Sequence, residues 1–252
     1  MSDQQLILGL IEESPPALDQ VVVGENAEAW AWLSRLAAGE RPPGDRLLIW
    51  GGPASGKTAA LQALSFSLHQ KGCPHHLLAL TLSPQACGLT PSQLNALSAV
   101  DRPLLIDNLE HASPALQQAL FARLVAAPSP GLLVASSGQS LQALGLSGFR
   151  EDLRTRLAQG LVYPLAALTE PDQLRVLRQK AHALGWMARP EDTQFDSIFV
   201  YMLARMPRHL GWLCGLLQAV NQAALEQKRP VSVPLLRSVA ESFSTSSETS
   251  RS

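Results

Sequence analysis

The chain has 252 residues, of which 46% are hydrophobic and 16% charged, enough to bury the core of one large domain or of one domain plus a small one. A formal net charge of −1 argues against a protein that grips DNA through bulk positive charge. The three cysteines, Cys73, Cys87 and Cys214, share no metal-ligand spacing, and their odd number favours free thiols in a reducing, cytoplasmic setting. No apolar run is long enough to predict a membrane span.

A short apolar peptide, residues 5–10 with the sequence QLILGL, lies in an N-terminal segment that ends in the loop Ser14-Pro15-Pro16. A solitary apolar peptide at a chain end is either packed onto the domain or offered to a partner. The pattern alone leaves both options open.

Val22, Val23 and Gly24 precede a helix predicted over residues 27–38. In a nucleotide-binding fold, such a segment can line an apolar slot for the base. In another fold it would be an ordinary core segment, and the residues alone do not separate these interpretations.

A phosphate loop follows the first predicted strand, residues 46–50, and organises the rest of the chain. Its spacing matches the G-x-x-x-x-G-K-[ST] pattern. The loop consists of Gly51, Gly52, Pro53, Ala54, Ser55, Gly56, Lys57 and Thr58. Glycines keep side chains away from phosphate oxygens, Lys57 would reach the β- and γ-phosphates, and the Thr58 hydroxyl would hold Mg²⁺. A helix predicted over residues 57–70 adds its positive N-terminal end, so the sequence predicts nucleotide binding.

Further apolar strands are predicted at residues 77–81, 104–106, 132–135 and 161–163. Short apolar strands separated by helices predict an α/β fold with a five-stranded parallel sheet that is covered by helices on both faces. From Thr169 onward the pattern is helical, with Asp172 completing a capping arrangement. The last helix is predicted to end near Phe243 and to be followed by a disordered tail, residues 244–252.

The strand over residues 104–106 ends at Asp107, where a P-loop protein places the carboxylate that holds Mg²⁺ through water. Asn108 follows, at the position where ATPases of this type often have a second acid. An amide cannot accept a proton, so we predict slow hydrolysis by the chain alone. Glu110 is expected to point elsewhere, and Ser136 and Ser137 are either phosphate sensors or a simple strand-end turn.

Arginines supply the remaining candidate charges. Arg150, Arg154 and Arg156 lie on a helix predicted within residues 148–158, and Arg156 is either an arginine finger for a neighbour's phosphate site or an ordinary surface residue. Arg208 opens a helix of the second domain and can reach phosphates from above, in competition with Arg205.

These motifs together resemble the AAA+ module of the bacterial replication initiator DnaA and, more closely, the Hda family of DnaA regulators. Val22-Val23-Gly24 resembles the adenine-contacting segment and residues 51–58 the Walker A motif. Residues 105–110, with the sequence LIDNLE, resemble the Asp-Asn Walker B variant of Hda. Arg156 falls in the arginine-finger box and Arg208 at the sensor-2 position.

The N-terminal peptide resembles the one by which Hda docks on the DNA sliding clamp, with Gln5, Leu6, Leu8 and Leu10 as contact residues. Gly9 departs from the usual clamp motif, and Ser137 replaces an acidic residue common in the initiator. The implied domains are a clamp-binding lead over residues 1–16, an AAA+ base over 17–167 and a helical lid over 168–243. Because no helix-turn-helix domain follows the lid, sequence-specific DNA binding is not expected.

The resemblance implies a cytoplasmic, nucleoid-associated regulator that binds ADP or ATP with Mg²⁺ held at Thr58 and Asp107. Docked on the polymerase III clamp (its β subunit), it would point Arg156 into the nucleotide site of DnaA and stimulate ATP hydrolysis there. That reaction would prevent re-initiation of replication. Whether the chain also forms a homodimer is open.

Three other functions compete with this one. The first is an independent ATPase, for example a helicase loader. The second is a non-catalytic scaffold that recruits partners through residues 5–10, and the third is a protein that binds DNA directly. Asn108 argues against the first, and the net charge against the last.

Overall fold

A computed structural model describes residue 18 and residues 21–80, 90–98, 102–126, 131–207 and 210–249. Within these ranges the first part of the chain forms a parallel five-stranded sheet of order β2-β3-β4-β1-β5. The strands are β1 (Arg46–Trp50), β2 (His76–Ala79), β3 (Leu104–Asp107), β4 (Leu133–Ser137) and β5 (Leu161–Pro164). The predicted α/β class and parallel sheet are therefore confirmed.

Helices alternate with the strands and then continue alone. The helices of the sheet domain are α1 (Ala27–Ala37), α2 (Lys57–Gln70), α3 (Pro91–Ser98), α4 (Pro114–Val125), α5 (Leu141–Leu146) and α6 (Glu151–Ala158). Those that follow are α7 (Glu170–Ala183), α8 (Asp196–Arg205), α9 (Leu210–Glu226) and α10 (Val233–Thr249). We call α7–α10 the lid. No helix of the described residues has the length and apolar character that a membrane crossing requires.

Both faces of the sheet are buried, because successive side chains of a strand point to opposite sides. In β1, Leu47 and Ile49 join one apolar cluster with α1 and α2, whereas Leu48 joins a second cluster with α4 and α6. Such two-sided burial explains why the strands are apolar at nearly every position.

The strand order brings the ends of three strands together. β1 lies between β4 and β5, with Trp50 opposite Ser137, and β3 pairs with the other side of β4, with Ile106 opposite Ala135. All strands run in one direction, so the loop after β1, Asp107 and the end of β4 meet at one edge. In open parallel sheets, ligands bind in the crevice at this edge.

The lid has its own apolar core, which includes Leu177, Phe199, Leu213 and Leu236. Its first helix is capped as predicted, since the Thr169 hydroxyl accepts a hydrogen bond from the backbone N–H of Asp172 at 3.4 Å.

The predicted disordered tail is wrong for residues 244–249, because α10 continues through Thr249. Ser and Thr are weak helix formers, but extending an existing helix requires no new nucleation, and no Gly or Pro interrupts this stretch. The sequence analysis also missed α3 and α5, which are short and weakly patterned.

Candidate nucleotide-binding site and the exposed arginine of α6

The phosphate loop leaves β1 and turns into α2 with a conformation that depends on glycine. Gly56 has a φ of +88° and stands at the N-cap of α2. A Cβ on Gly51 would lie 2.5 Å from the Leu165 carbonyl oxygen and 2.8 Å from Ser55 Oγ, so only glycine fits there without displacement. The Gly51 N–H also donates to the Ser137 carbonyl at 3.1 Å, which joins the loop to the end of β4.

Lys57 extends its ammonium back over the loop. Nζ donates to the carbonyl oxygens of Gly51 and Gly52, at 2.8 Å each. Burial lowers the pKa of Lys57, while the negative charges of Glu110 and then Asp107 act in the opposite direction. The ammonium therefore lies over the loop beside the amino end of α2, which is where an anion would bind.

Asp107 is the centre of a buried hydrogen-bond network and is 3% exposed. The Thr58 hydroxyl donates to Oδ2 at 2.7 Å, and the Ser136 hydroxyl donates to Oδ1. The two residues that were predicted to hold Mg²⁺ therefore lie within hydrogen-bond distance of each other. Both residues supply the hard oxygen atoms that Mg²⁺ prefers. Thr58 therefore fits as a direct ligand of the ion and Asp107 as a carboxylate that holds it through water. Among the described residues no group of three His, Cys, Asp or Glu side chains is arranged for a metal.

Ser136 was considered from the sequence as a phosphate sensor or a turn residue, and its direct bond to Asp107 was not foreseen. Its Oγ also accepts the Asn108 N–H at 3.1 Å. This hydroxyl therefore joins β3 to β4 and holds the Asp107 carboxylate in place, which a strand-end serine alone does not signal.

Asn108 adopts the left-handed conformation, with a φ of +61°. Its side-chain amide donates to the Leu80 carbonyl at 3.1 Å, at the end of β2. The side-chain amide therefore lies on the β2 side of the crevice, away from β4.

Glu110 corrects an expectation, because it does not point away from the site. The 3₁₀ turn Leu109–His111 carries its carboxylate to the end of β4, where Oε1 accepts the Gly138 N–H at 2.8 Å. Oε2 is buried and has no hydrogen-bond partner among the residues that the structure describes. The left-handed turn at Asn108 causes this placement, and the residue pattern did not reveal it.

Val22, Val23 and Gly24 lie where the base domain meets the lid. A Cβ on Gly24, whose φ is +57°, would lie 2.8 Å from Leu168 Cδ2 and 3.3 Å from the Asp172 carboxylate. Val23 packs against the core cluster that also contains Leu165.

Asn26, which the sequence analysis did not single out, fixes this segment with two hydrogen bonds to Ala166. Its side chain donates to the Ala166 carbonyl at 3.0 Å and accepts the Ala166 N–H at 2.8 Å. The segment, the residues after β5 and the start of α7 thus form one wall beside the phosphate loop.

The three arginines of α6 have different surroundings. Arg150 pairs with Asp152 at 2.6 Å, and Arg154 pairs with Glu151. Arg156 is exposed and makes no ion pair with any described residue. Its Nη1 donates weakly to Gln159 Oε1 at 3.4 Å. Of the three cations, Arg156 is the one available to an incoming anion.

Arg46 anchors the end of α6 and was also missed by the sequence analysis. It is buried, and its Nη1 donates to the Arg156 backbone carbonyl at 2.7 Å. Burial lowers the pKa of Arg46, and the positive charge of Arg156 adds to this effect. The same repulsion favours an outward position of the Arg156 guanidinium.

Gln5, Leu6, Leu8 and Leu10 of the N-terminal peptide and Arg208 of the lid lie outside the described residues.

The sheet order, the phosphate loop between β1 and α2, and the helical lid define the fold of an AAA+ P-loop protein. Domain III of the Thermotoga maritima replication initiation protein DnaA superposes with a TM-score of 0.68 at 19% identity, covering 90% of this chain and 96% of that one. AMPPCP-bound DnaA from Aquifex aeolicus gives 0.60 at 20% identity, covering 84% of this chain and 68% of that one.

The lid identifies the chain more narrowly. Residues 170–240 match the family model of the Hda lid domain. A curated relative, described as an uncharacterized protein of Haemophilus influenzae, is 25% identical over 193 residues, which is 76% of this chain and 79% of the relative. Residues 170–240 therefore form a lid of the Hda type, on a base domain with the fold of DnaA domain III.

Proposed function

We propose that this chain is a nucleotide-bound regulator that stimulates hydrolysis of the ATP bound to DnaA, with Arg156 as an arginine finger. The observation that carries the proposal is an exposed arginine without an ion partner among the described residues, on a base domain that continues into an Hda-type lid. Such a finger neutralises charge in the phosphoryl-transfer transition state.

The position of Arg156 explains why it would serve a neighbour rather than its own pocket. Its backbone carbonyl is bonded to Arg46, the first residue of β1, whereas the phosphate loop follows Trp50, the last residue of that strand. Four steps along a strand span roughly 13 Å. Arg156 therefore lies near the amino ends of the strands, whereas the chain's own phosphate loop lies at their carboxyl ends.

The chain's own pocket would bind ADP or ATP. The loop amides, Lys57 and the amino end of α2 suit phosphates, and the wall at Val22, Val23 and Gly24 suits a purine. A DnaA of the same fold has been solved with AMPPCP, which supports an adenine nucleotide. Thr58 and Asp107 would hold Mg²⁺, which neutralises phosphate charge when bound.

In this proposal the bound nucleotide stabilises the regulator and is turned over slowly. The Asn108 amide cannot accept a proton and is engaged by the Leu80 carbonyl. The chain's decisive contribution to catalysis is then the guanidinium that it brings to DnaA.

Docking on the β sliding clamp through Gln5, Leu6, Leu8 and Leu10 completes the proposal. It rests on the resemblance of residues 5–10 to the clamp-binding peptide of Hda. Docking would concentrate the regulator at replicating DNA, so that DnaA is inactivated after initiation and not before it.

The test is ATP hydrolysis by DnaA, measured with and without this protein and with clamp loaded or not loaded on DNA. We expect stimulation that requires both the protein and the loaded clamp. Replacing Leu6 and Leu8 by Ala should abolish the clamp-dependent stimulation while leaving ADP affinity unchanged. Equal DnaA turnover in all four mixtures would contradict the proposal.

A further inference from the structure

Among the described residues at the crevice, Glu110 carries a carboxylate that the proposed function does not use. Oε1 is held by the Gly138 N–H at 2.8 Å, so the group is fixed at the end of β4. Oε2 is buried without a hydrogen-bond partner in the described ranges. Since leaving a buried carboxylate oxygen unbonded is costly, such an atom is typical of a functional site.

The local backbone explains how this acid comes to lie at the end of β4. The left-handed Asn108 turns the chain after Asp107, and its amide is engaged by Leu80 on the β2 side. The next turn returns Glu110 to the β4 side, beside the loop that begins at Gly51. The Glu110 carboxylate therefore lies on the β4 side, whereas the Asn108 amide lies on the β2 side.

The charges of the pocket agree with this placement. Of the two carboxylates that act on the Lys57 ammonium, Glu110 has the larger favourable effect and Asp107 the smaller. Lys57 is the residue that reaches the terminal phosphates of a bound nucleotide. The Glu110 carboxylate therefore acts electrostatically on the ammonium that would bind the terminal phosphates.

We propose that Glu110 is the general base for slow hydrolysis of ATP in this chain's own pocket, in place of the acid missing at Asn108. Oε2 accepts a proton from the attacking water as the water oxygen bonds to the γ-phosphorus. The bond from that phosphorus to the β–γ bridging oxygen breaks, its electron pair stays on ADP, and phosphate is released. The inference rests on nucleotide binding in the proposed function but not on DnaA or the clamp.

The test is single-turnover hydrolysis of ATP by the full chain alone, with no DnaA present. General-base catalysis contributes roughly 10²- to 10⁴-fold, so we expect Glu110→Gln to lower the rate at least about 100-fold. Glu191→Gln, which changes an exposed acid of the lid, is the matched control and should leave the rate unchanged.

A binding measurement gives a second, independent readout. Removing a negative charge beside the γ-phosphate should tighten a non-hydrolysable ATP analogue relative to ADP, by roughly 3- to 10-fold in the ratio of Kd values. Glu191→Gln should not change that ratio, and thermal unfolding without nucleotide should show that both variants are folded.

Gly138→Ala tests the position of the carboxylate without changing its charge. The added Cβ would lie 2.7 Å from Oε1 and would displace a flexible side-chain end, so the fold should survive. We expect this variant to lower turnover as well. Wild-type turnover no faster than ATP in buffer, or unchanged turnover and Kd ratio in Glu110→Gln, would overturn the proposal. Loss of DnaA stimulation would not affect it.

Discussion

The pocket under the phosphate loop and the exposed end of α6 hold their charged groups in opposite ways. In the pocket, Asp107 is buried, and both of its oxygens accept hydrogen bonds from hydroxyl groups of the same chain. On α6, Arg156 is exposed, and its backbone rather than its guanidinium is fixed by a neighbour.

The difference separates two kinds of site. A buried and mutually bonded network is preorganised for a ligand that enters the chain, because its geometry needs little rearrangement. An exposed cation on a fixed backbone gains a favourable electrostatic interaction only when another molecule supplies the anion. One molecule can therefore hold a nucleotide and still contribute a charge elsewhere, and changes at one site should leave the other intact.

The largest expected effect in the pocket comes from Lys57→Ala. Charge-assisted hydrogen bonds contribute about 1.5–3 kcal/mol each, so ADP affinity should fall by roughly 10- to 100-fold, as measured by calorimetry. Lys228→Ala, at an exposed turn of the lid, should bind ADP like the wild type. An unchanged ADP affinity in Lys57→Ala would mean that the loop is not the phosphate site.

Two glycine substitutions, compared with each other, test how closely the phosphate loop is packed. In Gly51→Ala the new Cβ would meet the Leu165 carbonyl oxygen at 2.5 Å, whereas a Cβ on Gly52 meets nothing within 4 Å. We expect Gly51→Ala to lower the free energy of unfolding by about 1–3 kcal/mol and Gly52→Ala to have a much smaller effect. Chemical denaturation would measure both, and equal stabilities would contradict the packing.

A smaller effect is expected at the other site from Arg46→Met. The change removes the donor to the Arg156 carbonyl but leaves the Arg156 side chain itself unchanged. Stability should fall by about 1 kcal/mol, and stimulation of DnaA should weaken several-fold while ADP affinity stays constant. Arg41→Met, at an exposed arginine, is the control, and a loss of ADP affinity in Arg46→Met would show that the two sites are coupled.

Much of the fold could be predicted from local patterns. The bounds of β1 and α2 agree with the predicted residues 46–50 and 57–70, because an apolar run, a glycine loop and a helix start each have distinct residue types. The Thr169 cap followed from a short-range motif. These features depend on neighbours within a few positions of the chain.

The features that were missed depend on contacts that local pattern does not encode. Arg46 meets the Arg156 carbonyl across 110 positions, and Asn26 meets Ala166 across 140. The direction of Glu110 follows from one left-handed residue, Asn108, which asparagine tolerates but does not require. The order of the strands likewise came from the three-dimensional structure.

The most direct test of the account compares Arg156→Ala with Arg154→Ala in single-turnover hydrolysis of DnaA-bound ATP on clamp-loaded DNA. An arginine finger supplies roughly 10³- to 10⁵-fold, so Arg156→Ala should abolish the stimulation. Arg154→Ala, which removes an arginine paired with Glu151, should retain it, and both variants should bind ADP like the wild type. Full stimulation by Arg156→Ala would contradict the central claim that this guanidinium acts in the nucleotide site of a partner.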